Sequence, residues 1–217
     1  MSGADAESSE PARSVEIELK FDVDERMPLP DWSALPGVAS VGAAEVRELD
    51  ARYLDTGDLA LARRGFALRR RSGGPDAGWH IKGPHLGTGR VELHWPLGDA
   101  AADDVTVPPA ILAELSDLIP DAALALLARI RNTRTAYALR AADGGLVAEF
   151  VDDRVTATDE RSGTTRSWRE WEFELGPAAP AAPEARAALF AAAAAAVYAV
   201  GGRPAASASK LARALGA

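Results

Sequence analysis

Residues 14–24 read SVEIELKFDVD, and within them Glu16-Ile17-Glu18-Leu19-Lys20 alternates charged and apolar side chains without a slip. A strict period of two is the mark of a strand with two unlike faces. Glu16, Glu18 and Lys20 share one face, and Val15, Ile17, Leu19 and Phe21 share the other. On an outer wall such charges cost little. Turned inward they would be costly without partners, so an inward reading needs a chemical reason.

The same pattern returns along the chain. Arg69 and Arg71 share a face against Leu68, and His80 and Lys82 share one against Trp79 and Ile81. Arg90, Glu92 and His94 oppose Val91, Leu93 and Trp95, and Glu149 shares its parity with Asp153. Glu170, Glu172 and Glu174 oppose Trp171, Phe173 and Leu175. Arg129 and Arg131 alternate together, and Arg134 falls on the other parity unless a bulge intervenes. For any one strand, solvated cross-strand Glu–Arg pairs would explain the charges. Together they suggest one polar face shared by a whole sheet, carboxylate-rich on the first and last strands and arginine-rich between. Periodicity leaves open whether that face points in or out.

Around these strands the layout is α+β. Residues 1–13 read as a disordered tail, and 14–217 as a single domain. Strands are expected at 15–23, 43–54, 66–72, 78–83, 89–96, 129–140, 145–152, 154–159 and 166–175, most of them separated by Gly-rich or Asp-rich turns. Residues 55–65, DTGDLALARRG, suggest a short helix with Thr56 or Asp58 near its start and Gly65 as the stop. Helices are expected at 109–118, 183–200 and 206–215, and 121–128 reads as helix or loop. The sum is about eight mostly antiparallel strands in a large sheet or barrel, with flanking helices, two of them C-terminal.

Composition narrows the chemistry. The 217 residues include no cysteine, which excludes disulfides, thiolate catalysis and Cys-based zinc sites. The net charge of −8 argues against nucleic acid as a partner. Yet arginines crowd into LARRGFALRRR (61–71) and LARIRNTRTAYALR (127–140), which suits an anionic small molecule. The longest apolar stretch, 188–202, is too short to span a bilayer comfortably, and the polar N-terminus has no signal-peptide core. The expectation is a cytoplasmic protein with no membrane partner, monomer or homodimer.

A polyphosphate offers a reason for charges on an inward face. Several Arg and Lys would grip its oxygens. Mg²⁺ or Mn²⁺, held by carboxylates, would bridge them. A channel with both sets is what a metal-dependent triphosphate hydrolase needs.

VEIELKF (15–21) resembles the Glu-x-Glu-x-Lys signature that opens the CYTH family, the triphosphate tunnel metalloenzymes. RYLDT (52–56), ALRRR (67–71), WHIKGP (79–84), GRVEL (89–93), RNTRTAY (131–137), AEFVDD (148–153) and EWEFEL (170–175) follow in the family's order. SASKLARAL (207–215) resembles the Ser-Lys ending of bacterial members. The resemblance covers roughly residues 14–215 and implies an eight-stranded antiparallel β-barrel forming a tunnel. It implies release of the terminal phosphate of inorganic triphosphate, or of another polyphosphate or organic triphosphate, with Mg²⁺ or Mn²⁺.

By motif, Glu16 and Glu18 would bind metal, together with Glu172 and either Glu170 or Glu174. Glu92, Glu149 and Asp153 join the candidate metal carboxylates, Asp152 being the alternative to Asp153. Lys20, Arg69, Arg71, Lys82 and Arg134 would bind phosphates, with Arg90, Arg131 and Lys210 added to that set. Glu16, Glu18, Lys20 and Lys82 form the catalytic group. His94 stands where many members carry an acid and reads as a surface residue, and His80 and His85 read as ordinary strand and turn residues. Asp55 reads as a cap, and the five tryptophans as cover for the barrel.

Three readings compete with the tripolyphosphatase. One is a hydrolase of thiamine or nucleoside triphosphate, or a class IV-type adenylate cyclase. Another is a non-catalytic polyphosphate-binding module, which would have no need of the metal carboxylates. The third is a plain sheet with a solvated charged face, which would bind no metal.

Overall fold

The computed structural model describes residues 10–86, 89–98, 104–120, 123–207 and 209–216. The first nine residues of the expected tail lie outside these. The last two, Ala12 and Arg13, belong instead to a strand, pairing with His94 and Leu93.

The chain lays down β1 (Ala12–Glu16), β2 (Glu18–Asp22), β3 (Ser40–Val41), β4 (Glu45–Thr56), β5 (Ala67–Ser72), β6 (Gly78–Leu86) and β7 (Gly89–Trp95). Then come α1 (Pro109–Leu115), β8 (Leu124–Arg140), β9 (Leu146–Asp159), β10 (Thr164–Leu175), α2 (Pro183–Ala199), β11 (Arg203–Pro204) and α3 (Lys210–Leu215). Among the described residues the strands pair antiparallel, in the order β1-β7-β6-β5-β4-β8-β9-β10-β2-β11, with β3 on β8. Among the described residues the sheet therefore has eleven strands, not eight, and the pairing path is open from β1 to β11.

The opening stretch explains the first difference. It is two strands, split at Ile17, that serve different neighbours. β1 pairs with β7 in the register Glu16↔Arg90, and β2 pairs with β10 in the register Glu18↔Glu174. Other expectations shift for local reasons. Residues 124–128 are strand, because Leu124–Ala128 pair with Tyr53–Thr56 and bury Leu127 and Ala128. Cross-strand pairing overrides the helical propensity of these Leu and Ala residues. Residues 146–159 form one strand rather than two, since Asp153 stays in register between Arg134 and Glu170.

The helix expected after residue 56 shrinks to a 3-10 turn at Ala62–Arg64. Asp55 takes the N–H groups of Leu61 and Ala62 at 2.9 and 3.0 Å, and Gly65 closes the turn at φ 79°. α3 starts at Lys210 rather than 206, where Ser209 Oγ accepts the Ala212 N–H at 3.1 Å.

The apolar faces of the strands are covered by helices. Phe21, Phe150, Trp171 and Phe173 pack under Leu189, Ala193 and Val197, a stripe at every fourth residue of α2. Leu68, Trp79, Ile81 and Trp95 pack under Ile111 and Leu115 of α1. The tryptophans of these two clusters are cover, as expected. α3 lies on the opposite, charge-bearing face, where Leu211 and Ala214 meet Ala51, Tyr53 and Ile130. Among the described residues, no helix is long and apolar enough to cross a membrane.

Candidate active site

A cavity of about 370 Å³ is bounded by residues from β1, β2, β4, β5, β6, β7, β8, β10 and α3. Most side chains singled out by alternation meet there. Lys20, Arg69, Arg71, Lys82, Arg90, Arg134 and Lys210 line it, as do Glu16, Glu18, Glu92, Glu172 and Glu174.

Several placements differ from expectation, and Asp153 and Glu170 are not among the residues that line the cavity. Arg131 is exposed on the other face, because Ile130, Asn132 and Arg134 are the β8 residues that look into the cavity. Glu149 is held outside the lining by Arg47, with contacts of 3.0 and 3.1 Å. Arg90 lines the cavity but spends its guanidinium on the carbonyls of Gly83 and Gly65, at 2.5 and 3.3 Å.

The carboxylates divide into two groups. Asp153, Glu170 and Glu172 offer oxygens within 4.8 Å of one another, a spacing a metal could use. Their centre already holds an ammonium: Lys210 Nζ lies 2.9, 2.6 and 2.7 Å from them in turn. Arg134 grips Asp153 with two bonds, at 2.8 and 2.7 Å, and reaches Glu172 at 2.7 Å. Lys20 adds a bond of 2.6 Å to Glu172. Against the cost of burial, Lys20, Lys210 and Arg134 hold the Glu172 carboxyl well below its usual range. Lys210 thus serves these acids rather than standing free for phosphate. Asp152 faces the other way, bonded to Arg169 at 2.8 and 2.9 Å and to Trp171 at 3.0 Å, so the inward acid of β9 is Asp153.

The second group is Glu16, Glu18 and Glu174. Glu16 meets Lys82 at 2.7 and 2.6 Å, and Glu18 meets Lys20 at 3.0 Å. Glu174 sits opposite Glu18 in the ladder, and among the described residues no cation pairs with it. Burial, then Glu16 and Glu18, push its carboxyl up to about 7. Negative charge is in excess at this spot, and hard oxygen donors in excess are what a divalent cation needs.

His80 and His94 belong to the site, contrary to expectation. His80 is buried, its Nδ1 2.7 Å from Glu92 Oε1 and its Nε2 3.0 Å from the Asp76 carbonyl. Burial, then Arg69 and Arg71, hold its imidazole far below the usual histidine range. His94 stacks on it at 4.7 Å and lines the cavity. Glu92 is also shared by Lys82 at 3.7 Å and Arg69 at 3.4 Å. Against burial, Lys82 first brings its carboxyl down to about 2. So many partners make Glu92 a bracket for the basic side chains rather than a free ligand. Trp32 lines a separate cavity of about 410 Å³ and packs on Phe150 and Phe173, away from the charges.

A family model described as the CYTH domain matches residues 14–194. Two proteins of Mycobacterium tuberculosis described as uncharacterized, from strains CDC 1551 and H37Rv, are 36% identical over 97% of this chain. The chain spans 42% of their length. Among solved structures, a Bacillus halodurans protein described as a candidate adenylate cyclase superposes with a TM-score of 0.63 at 18% identity, covering 93% of this chain and 97% of that one. A Hippeastrum protein described as a candidate adenylyl cyclase with a dominant triphosphatase activity superposes with a TM-score of 0.55 at 20% identity, covering 93% and 95%. At these identities the two structures establish a shared fold.

Proposed function

We propose that this chain, which belongs to the CYTH-domain family, is a metal-dependent hydrolase that releases the terminal phosphate of inorganic triphosphate. The observation that carries the reading is the carboxylate trio Glu16, Glu18 and Glu174, of which, among the described residues, only the first two have paired cations, set in one cavity with Lys20, Lys82, Arg69, Arg71 and Arg134. A binding module for polyphosphate would need only the cations. A solvated outer face would not bury Arg71, Glu92 and Glu172. The Hippeastrum protein's reported triphosphatase activity favours the same class of substrate.

In this proposal the sheet closes into a tunnel. Taking β1 and β2 as one bent strand, and setting aside the two-residue β3 and β11, leaves eight strands. That bent strand bonds to β7 on one side and β10 on the other, which would join the two edges. The Leu175 N–H to Ile17 carbonyl bond of 3.0 Å continues the second side to the split.

Glu16, Glu18 and Glu174 would hold the divalent cation, Mg²⁺ or Mn²⁺, because they offer hard oxygen donors and one more carboxylate than the two lysines paired with them, although among the described residues the oxygens gathered within 4.8 Å are those of Asp153, Glu170 and Glu172. When bound, the cation would neutralise charge on the phosphate oxygens. Lys20, Lys82, Arg69, Arg71 and Arg134 would grip the triphosphate and stabilise charge that spreads as water attacks the terminal phosphorus in line with the departing pyrophosphate oxygen. Glu92 and His80 keep Lys82 and Arg69 aimed at the cavity.

The test is phosphate release from inorganic tripolyphosphate with Mg²⁺, with Mn²⁺ and with chelator, comparing the protein with Glu18→Ala. Metal-dependent release that the substitution abolishes supports the reading. Faster release from ATP or thiamine triphosphate would move the substrate to an organic triphosphate. Cyclic AMP formed from ATP would make the chain a cyclase.

A further inference from the structure

The turn between β5 and β6, residues 73–77, carries a carboxylate to the cavity. Its root is fixed against β4. A Cβ on Gly73 would lie 1.9 Å from the Glu48 carbonyl and one on Gly74 2.8 Å from Leu49 Cδ2, both at positive φ. His94 lies against the turn, its Nε2 3.4 Å from the Ala77 carbonyl. So held, Asp76 points its side chain at Arg71, and the two form an ion pair.

The pair is lopsided. The Arg71 side chain is 7% exposed and that of Asp76 is 56% exposed. Burial, then the nearby Arg69 and Arg134, disfavour charge on Arg71. Among the described residues Asp76 is the carboxylate that pairs with this guanidinium. Arg71 is locked into the wall, whereas the Asp76 carboxylate can turn into solvent by rotating its side chain.

We infer that Asp76 is a built-in competitor for the anion that Arg71 binds, and that it sets the affinity of the cavity for its triphosphate. The inference rests on the reading in which Arg71 meets a phosphate. A phosphate oxygen reaching Arg71 must displace the carboxylate. The exchange is favourable because phosphate brings more charge and can take the guanidinium with two bonds. Each binding event nevertheless gives up the resident pair, so affinity is held below what the cations alone would provide.

The experiment is a calorimetric titration of tripolyphosphate, with EDTA present to prevent turnover, into four proteins at one ionic strength. They are the unaltered chain, Asp76→Asn, Arg71→Gln and the double variant. Asp76→Asn keeps the shape of an exposed side chain, and Asp76→Ser repeats the measurement without the amide. The expected result is binding tighter by about tenfold on loss of the Asp76 charge, the scale of a partly exposed ion pair. The gain should vanish in the Arg71→Gln background. A merely structural role for Asp76 would weaken binding or leave it unchanged, and would persist without Arg71. Equal or weaker binding by a folded Asp76→Asn protein overturns the inference while leaving the triphosphatase reading in place. No binding by any of the four overturns both.

Discussion

Glu174 is the side chain whose replacement tests the charge imbalance most directly. Its carboxyl moves from the usual 4.5 to about 7, so the folded chain binds that proton more tightly than the unfolded chain does. For an acid shifted upward, the cost is absent below the unfolded value, grows through the interval between the two values, and is complete above the folded one. The interval here runs from 4.5 to about 7. At about 1.4 kcal/mol per unit the full shift corresponds to roughly 3 kcal/mol, and solvent reaching the half-buried group reduces it to about 1.5–3 kcal/mol. Glu174→Gln removes the charge and keeps the shape. In EDTA at pH 8 the variant should be more stable than the unaltered protein by that amount, and its melting temperature higher by about 3–10 °C. At pH 4 the two should melt together. Urea unfolding at both pH values, with a thermal scan beside each, makes the comparison. With Mn²⁺ the order should narrow or reverse, because the unaltered protein gains ligand-linked stability that the variant lacks. A Glu174→Gln protein less stable than its parent at pH 8 in EDTA, or shifted equally at both pH values, would refute the argument that Glu16, Glu18 and Glu174 crowd one another.

Lys210→Met should lower stability by about 2–4 kcal/mol, since it removes the ammonium shared by three buried carboxylates and, among the described residues, leaves Glu170 without a cation, while Arg134 and Lys20 still hold Asp153 and Glu172. Their own values then rise, so the loss should be largest at neutral pH and fade as acid protonates them, and Mn²⁺ should restore part of it; urea unfolding against pH checks this. Gly73→Ala should cost about 1–3 kcal/mol or more in a thermal melt, because its φ is +77° and the added Cβ meets the Glu48 carbonyl. Asp55→Ala should cost about 1–3 kcal/mol by leaving the Leu61 and Ala62 N–H groups without their acceptor.

Much of the site was legible from alternation. Glu16, Glu18 and Lys20 do share a face with Glu170, Glu172 and Glu174, and the cavity forms on that face. A period of two assigns side chains to faces whatever the strand's partners turn out to be. What it does not carry is who stands opposite whom. Asp153, Glu170 and Glu172 look like metal ligands along the chain, and only the docking of α3 reveals that Lys210 already fills their centre. His80 is short, neutral-looking and isolated in sequence, and its bond to Glu92 depends on the β6–β7 register. Arg131 and Arg134 both sit in RNTRTAY, but no bulge lies between them to bring them to one face. Asp76 offered no periodic signal because it lies in a turn. The strand at 124–128 was hidden by residues that favour helix, and pairing with β4 decided the matter.

The split at Ile17 has a consequence for the order in which the molecule assembles. Lys20 and Glu172 meet across 152 residues of chain, and Glu18 faces Glu174 in the same ladder. Contacts of such long range pay their loop-closure entropy before they return any stability, so they form late in folding. The hairpins β8–β9 and β9–β10 are local and can precede them. A chain with these hairpins formed would therefore hold Glu174 on β10 before Glu16 and Glu18 arrive to complete the trio. Divalent-ion binding followed during refolding would then act as a clock for the last step, rising only when the N-terminal strand has docked on β10.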